Sequence, residues 1–241
     1  MREAIRLQEA RGRAETGRAL LEGPKLLAEA VSAGARVEQV FALADDAGSA
    51  EMARACGAEL IVVDDRGLRR LATTEHPQSP VAVMVIPETG LATTGDLLVA
   101  WGVGDPGNVG TLIRCAAAFG LGFAAGPGTA DPWAPKVLRA AAGGHFRAGV
   151  ARVAAPDELR TGGRRLAATV ARGGIPPAAL PSGPLALLVG DEARGLPDDL
   201  VGACDLAVTI PMPGGAESLN AAVAGAIVAY EVAARGRAAG D

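Results

Sequence analysis

Two stretches of this chain are apolar at nearly every position: Leu-Leu-Val-Ala-Trp-Gly-Val at 97–103 and Leu-Ala-Leu-Leu-Val-Gly at 185–190. Successive side chains of a strand point to opposite faces, so a strand without polar alternation has both faces covered. Helical and strand patterns alternate around these runs. A helix is expected over 111–119, with Leu112, Cys115, Ala116 and Phe119 inward, then a strand at 121–125 and a helix at 135–142. A basic segment runs to Val153, a strand follows at 165–170, and a last strand at 206–210 is stopped by Pro211. This order builds a mostly parallel sheet with helices on both faces. The expected fold class is α/β.

The front of the chain alternates too, on a smaller scale. A short strand at 19–23 leads to a helix opened by Pro24, with Leu26, Leu27, Ala30 and Val31 as its stripe. Strand-like and helical runs then alternate at 37–43, 46–56, 59–63, 65–72 and 81–86. Ahead of them, residues 5–18 read as one charged helix with a solvated face, and His76 sits in a polar turn. Residues 87–96, Pro-Glu-Thr-Gly-Leu-Ala-Thr-Thr-Gly-Asp, read as a linker. The expected domains are therefore residues 1–86 and 97–241, joined by 87–96.

Composition narrows the function classes. Three cysteines, odd in number and far apart, argue against a disulfide framework, and with two histidines no metal cluster is expected. The first residues lack the apolar core of a signal peptide, and no apolar run approaches the roughly 20 residues that span a bilayer. A reducing cytoplasm is expected. The formal net charge of -4 does not mark a nucleic-acid binder. Locally the balance reverses: Lys136, Arg139, Arg147, Arg152, Arg160, Arg164, Arg165 and Arg172 face only Asp157 and Glu158. Such a segment suits nucleic-acid phosphates, with a plain solvated surface as the alternative for Arg164, Arg165 and Arg172.

Three glycine-bearing loops, at 104–110, 190–196 and 211–218, follow strands at the end where α/β proteins bind ligands. They bring Asn108 and nearby Arg114, Glu192 and Arg194, and Ser218 and Asn220. The spacing Gly102, Gly104, Gly107 matches a dinucleotide fingerprint, but Pro106 interrupts it and no acidic ribose partner ends the next strand. A phosphate-binding Gly-Lys-Ser/Thr is absent. In the last helix Leu219, Val223, Ile227 and Tyr230 share a face beside small Ala222, Gly225, Ala226 and Ala229, which admit a close backbone. Ser218 reads as that helix's cap.

The stretch Asp105-Pro-Gly-Asn-Val-Gly-Thr-Leu-Ile-Arg-Cys-Ala-Ala-Ala-Phe-Gly120 resembles the first motif of the SpoU (TrmH-type) RNA ribose methyltransferases. Leu188-Val-Gly-Asp-Glu-Ala-Arg-Gly-Leu196 resembles the second, and Ile210-Pro-Met followed by Ser218-Leu-Asn220 the third. Pro135-Lys-Val-Leu-Arg-Ala-Ala-Ala-Gly-Gly144 is similar to the family's intervening segment, and Leu21-Glu-Gly-Pro-Lys25 to the opening of its ribosomal-protein-like RNA-binding domain. Three ordered motifs are specific where one alone is not.

The resemblance implies a SPOUT fold, a parallel sheet with a deep trefoil knot, rare among proteins. It implies S-adenosylmethionine as methyl donor, held by Val189, Gly190, Ile210, Met212, Ser218 and Leu219, with no metal. It implies a homodimer through the knotted domain and the last helix. Catalysis would fall to Arg114, Asn108, Glu192, Ser218 and Asn220, and RNA contact to Lys25, Lys136, Arg139 and Arg147. Asn108 would orient Arg114 or the ribose. The reaction would be methyl transfer to a ribose 2′-hydroxyl, ribosomal RNA being favoured. Transfer RNA, or a non-catalytic RNA-binding or assembly role on the same fold, are the alternatives.

Overall fold

The computed structural model describes residues 1–238, with side chains through Arg235. Two compact units emerge: residues 1–88 with 131–146, and residues 89–130 with 147 onward. The first contains α1 (Arg2–Arg6), α2 (Ala10–Thr16), β1 (Arg18–Glu22), α3 (Pro24–Ser32), β2 (Val37–Ala42), α4 (Ala47–Cys56), β3 (Glu59–Val62), α5 (Asp65–Leu71) and β4 (Val81–Val85). Its sheet runs β1-β4-β2-β3, with β4 antiparallel to β1 and β2, and β2 parallel to β3. Alternation of strand and helix did not make this small sheet parallel throughout. An antiparallel β4 must start at the end where β3 stops, so α5 and residues 72–80 make an out-and-back excursion instead of a crossover. Helix starts follow side-chain chemistry: Asp46 accepts from Ser49 N at 3.0 Å and Asp64 from Gly67 N at 2.7 Å.

The second unit carries β5 (Leu97–Ala100), α6 (Pro106–Phe119) and β6 (Gly122–Ala125). After α7 (Pro135–Ala141) and α8 (His145–Ala148) it resumes with β7 (Val150–Arg152), β8 (Arg165–Thr169), β9 (Leu185–Val189), α9 (Asp198–Ala203), β10 (Leu206–Val208) and α10 (Ala221–Ala238). Its six strands lie in the order β10-β8-β9-β5-β6-β7, and every adjacent pair is parallel. The two apolar runs form the central strands β5 and β9, buried at every position. Strand β7 lies inside the expected basic segment; three residues ending in Arg152 give no period to read.

Two helix starts differ from the sequence reading. Helix α6 starts at Pro106, because Asp105 accepts from Asn108 N at 2.9 Å and converts the expected loop into the first helical turn. Helix α10 starts at Ala221, and its cap is Asn220, whose Oδ1 accepts from Ala222 N (3.0 Å) and Val223 N (3.2 Å). Ser218 does not cap it. The small face of α10 packs within its own chain: a Cβ on Gly225 would sit 2.3 Å from Leu112 Cδ2 and 3.3 Å from Val189 Cγ2. Val223, Ile227 and Tyr230 are left 47%, 36% and 57% exposed.

The charged opening is also not one solvated helix. It breaks after α1, and Arg13 of α2 turns inward to 5% exposure. Its guanidinium donates to Leu7 O (2.8 Å) and Gln8 O (3.0 Å), carbonyls just past the end of α1, and pairs with Asp131 at 2.6 Å. Farther along, Arg139 of α7 pairs with Glu22 at 3.0 Å and donates to Thr73 Oγ1 at 2.7 Å. Residues 131–146, expected with the second domain, therefore cluster with the first unit. Arg13→Ala should destabilise that unit by about 2–3 kcal/mol, below the range for a fully buried pair because Asp131 keeps some solvent. Urea unfolding followed at Trp133 fluorescence would measure it; a loss under about 0.5 kcal/mol would mean that the pair is dispensable.

Residues 89–96 are likewise no loose linker. Thr89 Oγ1 donates to Val150 O at 2.5 Å. Arg164, grouped with the basic surface in the sequence, is 2% exposed. It donates to Gly95 O (2.7 Å), Thr161 O (2.6 Å), Ala92 O (2.6 Å) and Thr94 O (2.8 Å). A buried guanidinium takes the place that backbone pairing fills elsewhere.

Candidate functional site

Strands β8, β9 and β10 end beside one another, and their following segments enclose a cavity of about 420 Å³. Glycine at 190 makes the second loop possible. A Cβ there would lie 2.4–2.6 Å from backbone atoms of Gly195 and Leu196. The loop closes over it: Gly195 N donates to Asp191 O at 2.8 Å, and Asp191 Oδ1 accepts from Ala193 N (3.0 Å) and Arg194 N (3.2 Å). Asp191 thus serves as a turn residue.

That turn presents Glu192 to two other elements. Glu192 Oε1 accepts from Asn108 Nδ2, from Asn220 Nδ2 at 3.3 Å and from Ala221 N at 3.4 Å. Asn220 Nδ2 also donates to Asn108 Oδ1 at 2.9 Å. Residues 84 and 112 positions from Asn108 in sequence meet at one carboxylate. The three residues tie the first turn of α6, the loop after β9 and the start of α10 together. Asn108 spends its side-chain amide on this cluster, with no bond to Arg114.

Arg114 stands on α6 six residues after Asn108, about 120° farther round the helix. It is exposed and has no hydrogen-bond or ion-pair partner among the described residues. Beside it, burial raises the Cys115 thiol above its ordinary pKa while the Arg114 charge pulls the other way. That thiol stays protonated at neutral pH. Val189, Gly190, Ile210, Met212, Ser218 and Leu219 all line the cavity. Thr169, Val170 and Ala171 at the end of β8 line it too, and the sequence reading missed them. The sign available was the parallel order: a strand lying between β9 and β10 must end at the same rim. Neither histidine lines it, so the cavity holds no side chain that ordinarily titrates near neutrality.

Of the residues expected to meet RNA, Lys25, Lys136 and Arg147 are exposed, whereas Arg139 is committed to Glu22 and Thr73. Arg160, in the same basic run, pairs with Asp205 at 2.7 Å and also binds Ala203 O.

A parallel α/β sheet with a ligand-sized cavity at its carboxyl rim, beside a bonded Asn–Glu–Asn cluster, is the arrangement in which α/β enzymes bind small molecules. Residues 96–230, more than half of the chain, match the SpoU rRNA Methylase family, and residues 1–82 match the MRM3-like substrate binding domain. The chain belongs to the SpoU rRNA methylase family and is an RNA methyltransferase. It is 36% identical over 232 residues to the 23S rRNA (guanosine(2553)-2′-O)-methyltransferase RlmP of Bacillus subtilis, covering 94% of this chain and 93% of that protein. Among solved structures it resembles the SpoU methyltransferase AviRb from Streptomyces viridochromogenes in complex with AdoMet. The TM-score is 0.88 at 27% identity, over 98% of this chain and 97% of that one. It also resembles the AdoMet-bound rRNA methyltransferase from Sinorhizobium meliloti, with TM-score 0.86 at 28% identity over 97% and 94%.

Proposed function

We propose that the protein methylates a ribose 2′-hydroxyl of 23S ribosomal RNA with S-adenosylmethionine as donor. The observation that carries this reading is that the second and third motif segments line one cavity, and that Asn108 of the first is bonded to Glu192 and Asn220 beside it. The cavity fits the donor: Val189, Ile210 and Leu219 offer apolar walls for an adenine ring, and the peptide groups around Gly190 and Met212 offer polar edges. Bound there, the donor supplies an electrophilic methyl group. Ser218, exposed on the rim, is placed to meet the ribose.

A 2′-hydroxyl becomes a good nucleophile only as its proton leaves. A guanidinium does not serve as a base in proteins, so Arg114 takes another part. Its role is to bind the neighbouring phosphate and stabilise the alkoxide charge, while the hydroxyl proton passes to solvent water at the open rim. Glu192, Asn108 and Asn220 act as positioning residues that hold the rim in register. Full-length similarity to a 23S rRNA enzyme, front unit included, favours ribosomal over transfer RNA. In this reading the front unit, with Lys25, binds substrate RNA, and Lys136 and Arg147 track its phosphates in the cytoplasm.

The same reading gives the second unit a deep trefoil knot. Strand β10 returns to the outer edge beside β8, and α10 then comes back onto α6 and β9, the path a threaded terminus requires. It also gives a homodimer through the uncovered Val223–Ile227–Tyr230 face. Ile227→Asp should yield monomers in sedimentation velocity while far-ultraviolet dichroism is retained; an unchanged sedimentation coefficient would place the interface elsewhere.

Transfer of labelled methyl from S-adenosylmethionine to unmodified 23S rRNA and to tRNA tests the function. Label on rRNA, lost when the target nucleotide is 2′-deoxy, is the expected result. Label on tRNA alone, or binding of both donor and RNA with no transfer, would overturn it.

A further inference from the structure

Arginines of the front unit are either paired or, among the described residues, unpaired, and Arg2 and Arg54 are isolated members of the second group. Arg6 and Arg11 pair with Glu15, Arg13 with Asp131, Arg18 and Arg36 with Glu38, and Arg139 with Glu22. Arg66, Arg69 and Arg70 of α5 behave differently. All three are exposed, and none has an ion pair or side-chain hydrogen bond among the described residues. Their spacing places them within about 100° on one side of the helix, opposite the buried Gly67, Leu68 and Leu71. Asp65 stands four residues before Arg69 without pairing to it.

This short helix is held at both ends. Asp64 caps its start through Gly67 N at 2.7 Å. At its finish the Gln8 side-chain amide donates to Arg70 O (2.9 Å), Leu71 O (3.0 Å) and Ala72 O (3.2 Å). Seven residues alone make a marginal helix, so these two devices and the buried leucines fix it as a platform. Three like charges held on a fixed platform repel one another unless an anion lies across them.

We propose that the outer face of α5 is a docking surface for the RNA substrate, with Arg66, Arg69 and Arg70 each taking backbone phosphate. The proposal rests on the RNA methyltransferase reading. It adds a contact site that lies apart in sequence from Lys25, Lys136, Arg139 and Arg147. RNA is the partner that the charge selects: guanidinium groups match phosphate oxygens in pairs, and the exposed positions of α5 itself are Asp65, Arg66, Arg69 and Arg70, none an apolar anchor for a protein.

The test is the salt dependence of RNA binding by the full chain, with an unmodified 23S rRNA fragment as probe. In R66A/R69A/R70A the slope of log affinity against log salt should fall by about 2–3, the share of three phosphate contacts. KM for RNA should rise, with kcat and S-adenosylhomocysteine affinity as in the parent. R66K/R69K/R70K should keep most of the slope, which a merely structural role of the arginines would not predict. An unchanged slope in the alanine variant, with the parent binding RNA normally, overturns the α5 proposal alone. A parent that neither binds nor methylates any RNA overturns the reading beneath it.

Discussion

Replacing Arg114 by alanine is expected to lower single-turnover methyl transfer about 10²–10³-fold, the usual effect of removing one preorganised stabiliser of developing negative charge. The fold should not notice. Arg114 is exposed on α6 and bonds to nothing among the described residues, so its removal opens no cavity and orphans no partner. Donor affinity should be unchanged as well, because Arg114 is not among the residues that line the cavity. Arg114→Lys should recover only part of the rate: an ammonium carries the charge but not the fork that can grip a phosphate and an alkoxide together. Quenched-flow transfer from labelled donor, alongside calorimetric titration with S-adenosylhomocysteine, separates these effects. A variant with full rate would move the task of stabilising the alkoxide to another group. Cys115 is a poor candidate, its thiol being raised by burial.

Glu192→Gln makes a useful contrast to Arg114. Asn108, Asn220 and Ala221 N all donate to one oxygen of Glu192, Oε1, a role that an amide at 192 could fill only with its oxygen turned to the same side. Such a cluster is invisible to period and propensity. In sequence Asn108 and Glu192 looked like loop residues and Asn220 like part of a first helical turn, and only the parallel order of β5, β8, β9 and β10 carries their ends to one rim. What the sequence did show was the sheet itself, because strands covered on both faces cannot hide their apolar runs. It also showed which loops would matter, since ligands gather at the carboxyl ends of parallel strands.

Side-chain satisfaction of backbone groups was the level that stayed hidden. Asp105 extends α6 backward by a turn, and Asn220 starts α10 two residues later than Ser218 would. Arg13 and Arg164 read as surface charges because composition counts an arginine without asking which carbonyls surround it. The α5 arginines look no different in sequence from Arg13. Only the carboxylates and carbonyls around each one tell a buried strut from an outward-facing cation.

Arg164→Met is expected to be the most destabilising single change outside the site, at roughly 3–5 kcal/mol. Methionine keeps the length and apolar stem of the side chain but removes every donor. The carbonyls of Ala92, Thr94, Gly95 and Thr161 then lose their partner in a place where Arg164 itself is 2% exposed. A buried unsatisfied carbonyl costs about 1–3 kcal/mol, and relaxation toward solvent returns part of four such costs. Against a typical stability of about 5–15 kcal/mol, the loss is a large fraction. Asp96 adds a pH dependence. Burial raises its pKa, while the charges of Arg235 and Arg164 hold it down. Without Arg164 the folded-state pKa rises further above the unfolded value. A carboxyl shifted that way contributes stability that is full below the unfolded pKa and is lost as pH rises through the folded one. The penalty in Arg164→Met should therefore be larger at neutral pH than in the acid range where Asp96 is protonated. Urea midpoints at both pH values, with hydrogen exchange of the 89–96 amides, would show it. A loss below about 1 kcal/mol at neutral pH would mean that water reaches the freed carbonyls, and that the pairing of β5 with β6 and β9 fixes this segment instead of Arg164.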